Sequence, residues 1–134
     1  MINNHLHKIK KAIKNLNDVV NSLDNKSDVL NKNIEIVENI IKEVCNHFKI
    51  NKKQLIYSRK FVYQRDILNN IIYNELKILS IRQISTLIYS KINHGNVFLS
   101  IKKFKNLNTK LVFDKKFLDD YTEIVNKLKN KKVI

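Results

Sequence analysis

Six basic residues and no acidic one occupy the stretch from Ser80 to Phe113, SIRQISTLIYSKINHGNVFLSIKKFKNLNTKLVF. They are Arg82, Lys91, Lys102, Lys103, Lys105 and Lys110. Cationic side chains with no carboxylate among them are suited to a polyanion, because each phosphate they neutralise releases a counterion. A second, smaller basic group, Arg59 and Lys60, lies in YSRK at residues 57–60, with Arg65 soon after.

Two short helices must carry the larger group. Ser80 is placed to cap the first, with Gln83 three residues on completing a capping box, and Ile81, Ile84, Leu87 and Ile88 give it one apolar stripe. The region Ser90–Gly95 reads as a turn and holds the chain's single glycine. Beyond it Val97, Ile101, Phe104 and Leu107 form an apolar seam that leaves Asn93, His94, Asn96, Lys102 and Lys103 to face elsewhere. Two such helices, the second polar and basic outside, have the layout of a helix-turn-helix. A small helical hairpin with a solvated lysine face has the same pattern.

Charge and composition bear on that choice. The net charge of the 134 residues is +14, which speaks to partners and solubility and not to fold. It is unevenly spread: +3 over residues 1–32, +3 over 33–79, +6 over 80–113 and +2 over 114–134. A one-signed field on a candidate reading helix favours nucleic acid. The 23 Lys, 20 Asn and 20 Ile also fit an AT-rich coding sequence, and the three Arg provide few of the bidentate forks that suit phosphate and guanine.

Other classes are excluded. No apolar run approaches the length of about 20 residues that a membrane span needs, and no secretory apolar region opens the chain. One cysteine, Cys45, allows no internal disulfide and fits a reducing cytoplasm. One glycine, Gly95, rules out glycine-rich phosphate loops and dinucleotide fingerprints.

With no proline and little strand-type alternation, the chain reads as all-α. Ile2, Leu6, Ile9, Ile13, Leu16, Val20 and Leu23 recur at spacings of four and three, and the register continues through Ser27, Leu30, Ile34, Val37, Ile41, Val44 and Phe48. That heptad predicts an amphipathic helix or coiled-coil arm over residues 1–32, ahead of a small helical domain over 33–134. At the polar segment Asp24–Val29 the helix either passes through or stops near Asp24 and restarts, and the capping residues there favour two helices or a kinked one. The stripe at residues 2–23 either pairs two copies into a homodimer or folds back on its own core. In the domain, Asn51 and Gln54 predict a second capping box, Val62 to Lys77 a long helix burying Ile67, Leu68, Ile71, Ile72 and Leu76, and Asp114 the cap of a last helix.

Residues 33–129 resemble the C-terminal DNA-binding domain of the bacterial replication initiator family DnaA. The likeness runs in order through VCNHFKI, KKQLIYSRK, a long helix containing Arg65, LSIRQIS, NHGNVFLSIKKF and FDKKFLDDYTEIVNKL. It implies a helix-turn-helix fold and double-stranded DNA as partner. It also implies a base contact for His94, a core anchor at Val97, a minor-groove role for Arg59 and a phosphate contact for Arg65. Lys102 and Lys103 match basic positions that follow. Asn93 stands where the family carries aspartate, Gly95 and Asn96 where it carries two hydroxyl residues, and Leu99 where it has a polar contact. Asn93 and Asn96 carry the amide geometry that reads adenine, which aspartate does not.

Other constellations point to bland roles. His5, His7, Cys45 and His47 form two pairs at a separation of two residues, whose side chains diverge on a helix and chelate poorly. Asp119, Asp120 and Glu123 share their helix with Lys115, Lys116 and Lys127 and read as a solvated, ion-paired face. The five tyrosines read mostly as core edge. The expectation is a non-enzyme with no metal or cofactor, cytoplasmic and nucleoid-associated, or in a host cytoplasm if phage-encoded. It would bind double-stranded DNA through Arg59, Lys60, Arg65, Lys91, Asn93, His94, Gly95, Asn96, Lys102 and Lys103, without ATPase activity, in replication control or transcription. The alternative is a structural or interaction protein, such as a phage component, that keeps the fold without reading sequence.

Overall fold

The computed structural model describes the backbone of residues 2–89 and 94–134, and the side chains of residues 6–18, 31–89 and 95–134. The chain is all-α, with no strand among the described residues. It divides into two units, residues 1–35 and 36–134. Among the described residues no helix is long and apolar enough to cross a membrane.

Helix α1 runs from Ile2 to Phe48. The backbone stays helical through Asp24–Val29, so the helix passes through and does not stop and restart there as favoured. Asp, Asn and Ser inside a helix cost only a few tenths of a kcal/mol each, and no glycine or proline there forces an exit. In the first unit Leu6, Ile9, Ile13 and Leu16 are exposed.

The second unit closes its own core. Residues 36–48 of α1 bury Val37, Ile40, Ile41, Val44 and Cys45. The strict heptad named Ile34, which is exposed, and omitted Ile40, which is fully buried. A helix packed on a globular core buries a wider stripe than a coiled-coil seam does. Lys49, in the left-handed region at φ 56°, ends α1, and Ile50 N–H donates back to the Cys45 carbonyl at 3.0 Å, as in a Schellman turn.

Helix α2 (Lys52–Tyr57) starts at the expected box. Asn51 Oδ1 accepts from Gln54 N at 2.8 Å, and Gln54 Oε1 accepts from Asn51 N at 3.0 Å. A 3-10 turn, Arg59–Phe61, leads into α3 (Val62–Ile71). The expected single helix to Lys77 widens into a π turn at Ile72–Leu76, and Lys77, at φ 58°, terminates it. Ile72 stays in the core while residues 73–76 are half-buried.

Helix α3 is the hub. All six residues from Asp66 to Ile71 are buried, the signature of a helix walled in on every side. Around Ile67, Leu68, Ile71 and Ile72 lie Ile40 and Val44 of α1, Leu55 of α2, Ile84 of α4 (Ile81–Tyr89), Val97 of α5 (His94–Lys105), and Ile124 and Leu128 of α6 (Val112–Asn130). Each such side chain contributes about 1.5–3 kcal/mol through burial. Helix α6 starts two residues before the expected cap. Leu111 holds the N-cap position with no side-chain bond, while Asp114 lies in the first turn and accepts Asn108 N at 2.9 Å. A carboxylate there also faces the positive end of the helix dipole.

Candidate functional site

Helix α4 begins at the Ser80 box, with Gln83 N donating to Ser80 Oγ at 3.2 Å and Ser80 N to Gln83 Oε1 at 2.8 Å. Ile84 and Ile88 are buried, and Ile81 and Leu87 pack at the core edge. Helix α5 follows, anchored by buried Val97 and Ile101 and by Phe104, whose ring tilts against Tyr121 at 4.9 Å and meets Phe117 edge-on at 6.4 Å. Gly95 lies in the first turn of α5 with no positive φ, so it is a helix residue and not the pivot of the turn.

A buried polar network fixes the rotation of α5 on α3. Ser100 Oγ donates to Asp66 Oδ1 and accepts from Asn69 Nδ2 at 3.2 Å. Asn70 Nδ2 donates to the Ser100 carbonyl at 2.9 Å. Tyr89, the last residue of α4, donates to Asn69 Oδ1 at 2.6 Å, and burial, the largest cause, pushes its phenol well above the usual tyrosine range. Lys103 Nζ closes on Asp66 Oδ2 at 3.1 Å. Both oxygens of the buried Asp66 carboxylate are thus held by α5, and leaving one unpaired would carry its desolvation cost.

With that face locked inward, the other face of α5 presents Gly95, Asn96, Phe98, Leu99, Lys102, Lys103 and Lys105 to solvent. Arg65, Asn96, Lys102 and Lys103 line one cleft of about 460 Å³, together with Asp66 and Leu99. Arg59 and Lys60 are exposed on the turn that leads into Val62, which lines the same cleft. Lys91 and Asn93 lie outside the described residues, and of His94 only the helical backbone is described.

Two of these cations are engaged within the domain. Arg65 Nη1 donates to the Leu55 carbonyl at 2.9 Å and to the Ser58 carbonyl, at the end of α2 where the helix dipole is negative. Arg65 therefore braces the turn that carries Arg59 and Lys60. Lys103 is paired with Asp66. Among the described residues, Arg59, Lys60 and Lys102 enter no ion pair.

Sequence reasoning missed the polar network. Asp66, Asn69 and Asn70 sit at i, i+3 and i+4 between buried isoleucines and leucines, and that interleaving is the one signal pointing to them. It also misplaced Asp120. This carboxylate lies off the solvated face, accepting from Tyr63 Oη at 2.6 Å and pairing with His47 Nε2 at 3.1 Å. Ligand atoms of His47, Asp120 and Glu123 lie within 4.8 Å of one another. Asp120 is already engaged by Tyr63 and His47, and Glu123 by Lys127 at 3.4 Å, so the group is a clasp between α1 and α6. Tyr57 is exposed and departs from the core-edge expectation.

No protein-family model matches the chain, and neither a curated protein nor a solved structure matches it.

Proposed function

We propose that this chain is a non-enzymatic double-stranded-DNA-binding protein that works as a helix-turn-helix reader, with α5 laid in the major groove. The observation that carries the reading is the outer face of α5. It combines the Asn96 amide with Lys102 in a 34-residue stretch without a carboxylate, on a helix whose opposite face is pinned by Asp66 and Ser100. A pinned helix has little backbone entropy left to lose on binding. Asn96 suits adenine, and exposed Leu99, one turn on, suits the thymine methyl group. Arg59 and Lys60 add phosphate contacts beside the cleft. The resemblance to the DnaA C-terminal domain agrees with this reading and extends it to replication control or transcription, without the ATPase activity of full-length initiators.

The test is a duplex-binding titration against salt. Contacts from Arg59, Lys60, Lys91 and Lys102, at about 0.9 each, give a log–log slope of about −3 to −4. Arg65 and Lys103 are left out because they serve Leu55, Ser58 and Asp66. Salt-independent binding refutes the proposal. Asn96→Ala should alter sequence preference by about 1–3 kcal/mol at one base pair, whereas Lys102→Ala should weaken all duplexes alike.

One observation favours a second reading. Phe98 and Leu99 are adjacent on the outer face of α5 and about half exposed, at 52% and 53%. An apolar pair rimmed by polar groups also suits a protein partner, as in a structural protein that keeps the fold without reading DNA. A salt slope with no sequence preference in selection from random duplexes would favour that role.

A further inference from the structure

The first unit carries an uncovered apolar stripe. Leu6, Ile9, Ile13 and Leu16 recur at spacings of three and four on one face of α1, and they are 50%, 56%, 54% and 64% exposed. The continuation expected at Val20 and Leu23 lies outside the described side chains. A seam of large aliphatics on one helix face is an association surface, and the 36–134 unit already has a closed core of its own. The heptad spacing is the pattern by which one helix packs against another of the same kind.

Charge selects both the partner and the direction. Residues 2–17 contain Lys8, Lys10, Lys11 and Lys14 and no acid, a net +4. Residues 18–35 contain Asp18, Asp24, Asp28 and Glu35 against Lys26 and Lys32, a net −2. Parallel pairing of two copies would align the lysine-rich halves with each other. Antiparallel pairing lays each lysine-rich half on the acidic half of its partner. The heptad adds a finer match, since Lys10 and Asp24 fall on the same flank of the stripe. An antiparallel pair turns equivalent flanks toward one another, and flanking charges of this kind set partner choice and orientation.

We propose that the helix over residues 2–35 pairs with the same helix of a second copy of this chain, and that the pair is antiparallel. Its two Glu35 positions then lie at opposite ends, about 50 Å apart at 1.5 Å per residue. This arrangement does not depend on the DNA reading.

The experiment uses the full chain. Light scattering should give twice the chain mass of 15.9 kDa. In a mixture of isotopically light and heavy protein, zero-length coupling should join lysines of residues 8–14 in one copy to acids of residues 24–35 in the other. Within one helix Lys10 and Asp24 are about 21 Å apart, beyond such coupling. The double substitution Ile13→Asp, Leu16→Asp, at exposed positions, should return a monomer whose 36–134 unit keeps its thermal transition. A monomeric native chain or a higher oligomer overturns the proposal. So does a dimer in which spin labels at Asn3 lie within about 15 Å of each other, since a parallel pair puts those positions side by side at helix-packing distance.

Discussion

At the scale of single residues, Ser100 and Asp66 matter more than their neighbours on the exposed face. Ser100 is buried, and its hydroxyl both donates to Asp66 and accepts from Asn69. Ser100→Ala leaves a buried carboxylate oxygen one donor short, and the expected loss in urea denaturation is about 1–3 kcal/mol. Lys102→Ala, at an exposed position without an ion pair, should change stability by less than about 0.5 kcal/mol. That contrast separates the residues that hold α5 from those proposed to meet DNA. The tyrosines supply a pH prediction. Burial, the first cause in each, raises the phenols of Tyr63, Tyr89 and Tyr121 well above the usual tyrosine range, helped at Tyr63 by Asp120 and at Tyr121 by Glu75. Their folded-state pKa values exceed the unfolded value of about 10. The stability they contribute is whole below pH 10 and is lost as pH rises beyond it. Thermal melting temperature should therefore fall progressively above pH 10, and the phenolate absorbance of these three tyrosines should rise together with the loss of helix.

At the scale of elements, the helix ends show which parts of the fold a sequence discloses. The boxes at Asn51–Gln54 and Ser80–Gln83 were legible because each is a contact between residues three apart. The apolar stripes of α4 and α6 were legible for the same reason of local period. The Asp66–Ser100–Asn69–Tyr89 network was not, since its partners are 20 to 34 residues apart, and the interleaving of Asp66 and Asn69 with isoleucine and leucine marks them as buried without naming those partners. The pairing of Asp120 with Tyr63, 57 residues away, was hidden likewise. Uninterrupted helix at Asp24–Val29 was the less favoured of two readings because capping residues mark a permitted end, not an obligatory one. The helix ends also give a stability prediction. Lys49 and Lys132 both hold left-handed conformations, each followed by a residue whose N–H bonds back into its helix. A side chain with Cβ costs about 1–2 kcal/mol there, partly offset by the greater unfolded-state entropy of glycine. Lys49→Gly and Lys132→Gly should each stabilise the domain by about 0.5–1 kcal/mol in the same denaturation assay.

At the scale of the whole molecule, the two units divide the labour proposed here: residues 1–35 bring copies together, and residues 36–134 position α5. The second unit ties its own ends by charge as well as by core, since Lys131 Nζ meets the buried Glu43 carboxylate at 2.7 Å and joins the end of α6 to α1. Stripping the partner from a buried charge costs more than stripping it from an exposed one, so Lys131→Ala, which leaves the buried Glu43 carboxylate without its ion pair, should lower stability further than Lys52→Ala, whose pair with Glu38 at 2.7 Å is half exposed on both sides. The enclosure of α3 bears on how the domain opens to water. Its amide protons from Asp66 to Ile71 are screened on every side by other helices. They can exchange with deuterium only when the 36–134 unit unfolds as a whole. Their exchange rates therefore report the global free energy of that unit directly, and amides of residues 6–18, on an exposed helix, should exchange sooner in a chain kept monomeric by Ile13→Asp, Leu16→Asp.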